Sequence, residues 1–179
     1  MQAWQTLVSK PISWSNYHTI IIDGKYNDEK VQLYKAIKNS KTQKIIVCNE
    51  LLIKSKILLD ADDIVIVPFQ NWFDTQFDDI LQEVIDIIGP DFPHIVITCC
   101  GMSAKVLIAE LKKRYDTGIY LDFGSAMDLL CTKKSTRGAY DYAYMETLFR
   151  ELLPPDWNDA KYDYIYEEAK CELGLHLSK

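Results

Sequence analysis

The sequence predicts an α/β fold: a three-layer, Rossmann-like arrangement with a mostly parallel sheet flanked by helices and a C-terminal helical segment. Two observations carry this. Short β-branched apolar runs with little polar alternation recur along the chain, as expected of strands buried on both faces. Helix-forming stretches separate them, and parallel neighbours need such crossovers to cover the sheet.

In chain order, the strands are expected at residues 19–22, 44–48, 63–67, 94–99 and 118–121, each rich in isoleucine and valine or bounded by turn residues. The helices between them are expected at 29–39, 73–88 and 102–115. In the second helix Phe77, Ile80, Leu81, Val84 and Ile88 recur at spacings of three and four. That spacing turns one apolar stripe toward the sheet and leaves Asp78, Asp79, Gln82 and Asp86 on the other face. After residue 122 the rhythm changes to a long polar segment, 123–140, followed by a helix over 142–152. Asn158 then caps a last helix with Tyr162, Ile165, Tyr166, Ala169 and Leu173 inward, Pro154 and Pro155 marking the break before it. The dense tyrosines there, such as Tyr140, Tyr142 and Tyr144, read as packing of a helical tail.

The chain of 179 residues has the length of one domain, with the sheet core in 19–122 and a helical tail, 140–179, packed on it. Hydrophobic residues are 48% and charged residues 26%, the balance of a folding globular chain. Twenty basic against 26 acidic residues give a net charge of −6, the wrong sign for nucleic acid or an anionic membrane. There is no apolar run long enough for a membrane span, and the start lacks a signal-peptide core, so the expected location is cytoplasmic. Five cysteines, an odd number with Cys99 and Cys100 adjacent, point to a reducing compartment. Neither they nor the isolated His18, His94 and His176 have zinc-ligand spacing.

In an open α/β sheet, ligands bind beyond the carboxyl ends of the strands. Two such ends stand out. In HIVITCCGMSAK (94–105) a strand runs through Gly101 into a helix that opens with Ser103 and Lys105. Helix-start amides, a hydroxyl and an ammonium together form a candidate phosphate or diphosphate cradle. The motif is neither a GxxxxGK[ST] loop nor GxGxxG, and a plain strand-to-helix turn is the alternative. In IYLDFGSAMD (119–128), Asp122 falls at a strand tip, Gly124 and Ser125 in the following turn, and Asp128 six residues on. Carboxylates so placed bind a ribose hydroxyl or Mg²⁺ or Mn²⁺, or simply cap turns. Downstream, CTKKSTRG (131–138) gathers Lys133, Lys134 and Arg137, and the guanidinium fork of Arg137 suits phosphate oxygens. With parallel strands, Asn49 and Glu50 after the second strand, and Asn71 and Trp72 after the third, face the same crevice. Trp72 is then either a stacking surface for a base or a packing residue.

The succession VPFQNWFD (67–74), ITCCGMSAKVLIAEL (97–111), YLDFGSAMD (120–128) and STRG (135–138) resembles glycosyltransferases of the GT-D fold and their relatives in bacterial and large-virus glycan loci. The resemblance covers about residues 44–138. It implies a nucleotide-sugar donor with Mn²⁺ or Mg²⁺, bound beside Gly101, Ser103 and Lys105, with Asp122 as the acid of the family's aspartate-glycine turn. Better-known members carry a D-x-E metal motif just after that turn; here GSAMDLL offers only Asp128, so catalytic and metal roles fall to Asp122 and Asp128. The family's acidic glycine turn near the start is matched at best by IIDGKYND (21–28), to which no role is carried.

The expected activity is sugar transfer from a nucleoside-diphosphate sugar to a hydroxyl acceptor, in glycan synthesis. Donor-site residues are Gly101, Ser103, Lys105, Gly124, Ser125, Arg137, Asn71, Trp72 and Glu50. Asp122, Asp128, Asp141 and Glu146 compete for the role of base toward the acceptor. Two other readings share the architecture. S-adenosylmethionine-dependent methyl transfer lacks its glycine-rich first turn and has no use for the basic loop. A non-catalytic nucleotide-binding module would bind in the same place without turnover.

Overall fold

The computed structural model describes residues 27–90, 92–132 and 151–153. Four strands, β1 (Gln43–Asn49), β2 (Asp63–Val67), β3 (His94–Cys99) and β4 (Ile119–Asp122), form one parallel sheet in the order β2-β1-β3-β4. The expected α/β, Rossmann-like class is therefore observed. Expectations on residues 1–26, 133–150 and 154–179, including the strand at 19–22 and the tail helices, lie outside the described residues.

Helices alternate with the strands. They are α1 (Asn27–Asn39), α2 (Lys54–Leu59), α3 (Trp72–Ile88), α4 (Ala104–Arg114) and α5 (Asp128–Thr132), with a single 3-10 turn, Glu50–Leu52, ahead of α2. β1 and β3 occupy the centre of the four strands, and every residue of β3 is buried. A strand covered on both faces needs no polar alternation, which explains the unbroken apolar run.

The side-chain period of two divides the core into two layers. Ile46 and Cys48 of β1 with Ile95, Ile97 and Cys99 of β3 face one way, against Tyr34 and Ile37 of α1, Leu58 and Leu59 of α2, and Leu130 and Cys131 of α5. Ile45, Val47, Val65 and Val96 face the other way, against Trp72, Ile80, Leu81, Val84 and Ile88 of α3 and Ala104, Leu107 and Leu111 of α4. The stripe read from sequence in α3 is thus its buried face.

This layering follows from connection handedness. The chain leaves β1 through α2 to reach β2, then returns over the opposite face through α3 to β3 on the far side of β1. Right-handed crossovers in opposite directions must use opposite faces. The reversal puts the topological switch point of the sheet between β1 and β3.

Two sequence boundaries shift in a way that matters. The strand expected at 118–121 is Ile119–Asp122, so Asp122 is the last strand residue, paired in register with Thr98. The polar segment expected over 123–140 begins with a helical turn, since α5 starts at Asp128. Among the described residues no helix is long and apolar enough to cross a membrane.

Candidate functional site

The carboxyl ends of β3 and β4 bring together residues far apart in sequence. β3 ends at Cys99, and the chain turns through Gly101 at φ 79° into α4. β4 ends at Asp122, and the next turn passes through Gly124 at φ 51°. Both glycines lie in the left-handed region, which costs an L side chain roughly 1–2 kcal/mol. A Cβ added at either one would have nothing within 4 Å. The glycines are thus required by backbone conformation, and open space lies in front of them.

Between these turns sits an ion pair. Lys105, in the first turn of α4, places Nζ 2.9 Å from Oδ2 of Asp122. The other oxygen, Oδ1, accepts the Gly124 amide at 3.1 Å. The Lys105 side chain is 71% exposed and that of Asp122 24%, so the ammonium reaches solvent while the carboxylate is held at the strand tip. Adjacent parallel strands and the crossover between them impose this meeting: Thr98 opposes Asp122, and the Phe123 amide donates to the Thr98 carbonyl at 2.9 Å.

The helix start is more occupied than its sequence implies. Amides of Ala104, Lys105 and Val106 turn back onto the carbonyls of Gly101, Met102 and Ser103. Amides of Met102 and Ser103 donate into none of these turns, and Met102 is 85% exposed. Ser103 precedes α4 without a side-chain capping bond, which leaves its hydroxyl uncommitted to the helix.

Trp72 needs correction. It is 4% exposed, packs in the layer under α3, stacks on Phe77 at a centroid distance of 5.9 Å and donates its indole N–H to the Cys100 carbonyl at 3.1 Å. A ring so enclosed is not available to a base; it ties the start of α3 to the turn that carries Gly101. Asn71 lies beside it at φ 58°, its carbonyl accepting from the Asp74 amide and the Thr75 hydroxyl.

Glu50 is also placed differently from expectation. It opens the 3-10 turn after β1, whose start is capped by the Asn49 side chain accepting the Leu51 amide at 3.0 Å. Instead of facing Gly101 and Asp122, Glu50 borders a groove with Val67, Pro68 and Phe69 beside β2. Tips of β2 and β4 are three strand spacings apart, about 14 Å. Sequence reasoning merged two surfaces, because a strand-end residue can turn to either side of its strand. Phe69 and Glu83 of this groove were not singled out from sequence, which gives no sign that Phe69 is 68% exposed.

Beneath the site lie four thiols. Cys48 and Cys99 oppose each other in register and share a core layer with Cys131, while Cys100 is buried on the opposite face. Burial pushes Cys48 and Cys100 up to about 12 and raises Cys99 and Cys131 as well. These are neutral packing thiols, poor nucleophiles and poor metal ligands.

Asp128 begins α5, its carbonyl accepting the Thr132 hydroxyl at 2.7 Å. Ser125 lies in the turn before it and accepts the Asp128 amide at 3.1 Å. Among the described residues no three His, Cys, Asp or Glu side chains gather as a metal cage. Each oxygen of Asp122 accepts one hydrogen bond, Oδ2 from Lys105 and Oδ1 from the Gly124 amide. Arg137, Lys133, Lys134, Asp141 and Glu146 lie outside the described residues.

Comparison with protein-family models, with curated proteins and with solved structures found no match to the chain.

Proposed function

We propose that the chain is a glycosyltransferase that moves a sugar from a nucleoside-diphosphate sugar to a hydroxyl acceptor at the carboxyl ends of β3 and β4. The observation that carries this reading is the Lys105–Asp122 pair, 2.9 Å long, set between two left-handed glycines that front open space. The sequence resemblance over about residues 44–138 supplies the reaction class.

In this reading the diphosphate lies against the Gly101 turn. The acceptor oxygen forms a bond to the anomeric carbon while the bond from that carbon to the diphosphate oxygen breaks, and the diphosphate leaves with the electron pair. Lys105 neutralises the charge that develops on it. The acceptor's proton passes to Asp122 at the tip of β4 or to Asp128 at the start of α5. Gly101 and Gly124 allow close backbone approach, and fixing donor and acceptor in one geometry supplies much of the acceleration. Mn²⁺ or Mg²⁺ is a variable of the assay.

A second reading, a nucleotide-binding module without turnover, is favoured by the engagement of both Asp122 oxygens. The test is donor turnover with a panel of nucleoside-diphosphate sugars, with and without Mn²⁺, in wild type and Asp122→Asn. Transfer or donor hydrolysis by wild type, abolished in a folded Asp122→Asn protein, supports the transferase. Wild-type turnover in the variant removes Asp122 from the mechanism; nucleotide binding without any turnover selects the module.

A further inference from the structure

We propose that the outer edge of β2 is a docking site for an extended cationic polypeptide segment, which adds to the sheet as a further strand. This surface lies on the opposite side of β1 from the Lys105–Asp122 pair and does not depend on the reading of that pair.

Among the described residues β2 pairs with β1 alone, and none of them pairs with its other edge. The direction of those groups follows from one bond. The Asp62 amide donates to the Lys44 carbonyl of β1 at 3.0 Å. With a period of two, Ile64 and Ile66 also turn their amides toward β1, leaving Asp63, Val65 and Val67 to aim theirs outward. The sequence of β2, DIVIV, carries neither proline nor lysine, the residues that usually blunt such an edge.

The surroundings are those of a binding groove. A cavity of about 400 Å³ runs along the strand, bordered by Glu50, Ile64, Ile66, Phe69, Gln76 and Glu83. Ile64 and Ile66 come from one face of the sheet and Gln76 and Glu83 from α3 on the other, so the groove wraps around the edge. Exposed Phe69 at its end gives an apolar side chain something to pack against. Glu83 also borders an adjoining depression on α3, together with Asp79 and Asp86.

Charge selects the occupant. Among the described residues, the two depressions are bordered by the carboxylates of Glu50, Asp79, Glu83 and Asp86 and by no lysine or arginine. Burial raises the pKa of Glu83, with no cation among the causes that shift it. A lysine or arginine arriving along the edge supplies the missing counter-charge. A second copy of this chain paired edge to edge would instead bring the same carboxylates together, and like charges suppress that pairing. The partner that fits alternates basic residues with apolar ones: backbone bonds to β2 hold it, apolar side chains enter the groove, and basic side chains meet α3.

The experiment uses the full chain labelled with ¹⁵N and acetyl-(Lys-Val)₃-amide as the probe. Saturable shift changes are expected, with at least tenfold slower hydrogen exchange at the Asp63, Val65 and Val67 amides. A (Glu-Val)₃ peptide should bind at least tenfold more weakly. The fully N-methylated (Lys-Val)₃ peptide, which keeps its charge and loses its donors, should give no protection. Asp79→Asn with Glu83→Gln, both exposed on α3, should weaken binding about tenfold at unchanged Tm. No protection of β2 amides, or equal binding of the N-methylated peptide, overturns strand addition; equal binding of the acidic peptide overturns the cationic partner.

Discussion

The two ends of the sheet use glycine for opposite reasons. At the carboxyl end, Gly101 and Gly124 adopt positive φ and have open space in front of them. At the amino end, Gly118 just ahead of β4 fills a position with no room: an added Cβ would overlap Nε2 of His94 and the Tyr120 hydroxyl. His94 is buried there with both ring nitrogens engaged, Nδ1 at 2.7 Å from the Phe92 carbonyl and Nε2 at 3.0 Å from the Tyr120 hydroxyl. A carbonyl only accepts, so Nδ1 donates to Phe92, and Nε2 pairs with the Tyr120 hydroxyl. Tyr115 packs edge-on against the same ring. The amino end is closed and satisfied; the carboxyl end leaves an ammonium in solvent and two turns uncovered. The proposed site lies at the end that packing does not use up.

That contrast orders the expected effects of substitution. Gly118→Ala should be the most damaging, about 2–3 kcal/mol, because it overpacks a buried ring held at both nitrogens. Urea melts of this variant beside Gly124→Ala provide the check, the latter costing about 1 kcal/mol from backbone conformation alone. If the two cost the same, the amino end is not closed as described. Tyr120→Phe comes next, at about 1–2 kcal/mol, since it removes the partner of a buried imidazole nitrogen. Lys105→Met should change stability by well under 1 kcal/mol, its partner being an exposed ion pair. Its effect should fall instead on binding of a nucleoside diphosphate, by about tenfold or more.

Alkali should act on the layers beneath the carboxyl end. Cys48, Cys99, Cys100 and Cys131 all have folded-state values above the ordinary thiol value of 9.0. A raised acid holds its proton in the fold and loses it more easily once unfolded. Their contribution is therefore complete below about pH 9 and declines as pH rises toward about 12. Each thiol adds a slope of at most about 1.4 kcal/mol per pH unit in that window. Chemical denaturation at pH 8 and pH 10, in wild type and Cys48→Ser, measures it: the slope should be smaller in the variant.

Local pattern made some of this architecture legible and left the rest to tertiary structure. The bounds of β2 and β3 coincide with their apolar runs, and the α3 stripe is read correctly because seventeen residues give the period time to declare itself. α2 and α5, of six and five residues, are too short for that. The two glycine turns at the ends of β3 and β4 were legible because strand, glycine and helix follow one another in sequence. The pairing of Lys105 with Asp122 was not, since it depends on β3 and β4 being neighbours. Trp72 shows the reverse error: its place after a strand suggested the crevice, yet its large apolar area is worth more under α3.

The carboxyl ends of β3 and β4 are proposed to hold the diphosphate of a nucleotide sugar. A thermal-shift panel of nucleoside diphosphates, nucleotide sugars and S-adenosylmethionine, with and without Mn²⁺, tests it most directly in wild type and Lys105→Met. A ligand at 100 times its dissociation constant adds about 2.7 kcal/mol, a readily measured rise in Tm. The predicted result is stabilisation by one nucleoside diphosphate series that largely disappears in Lys105→Met. A flat panel, stabilisation by S-adenosylmethionine alone, or an undiminished shift in the variant would contradict it.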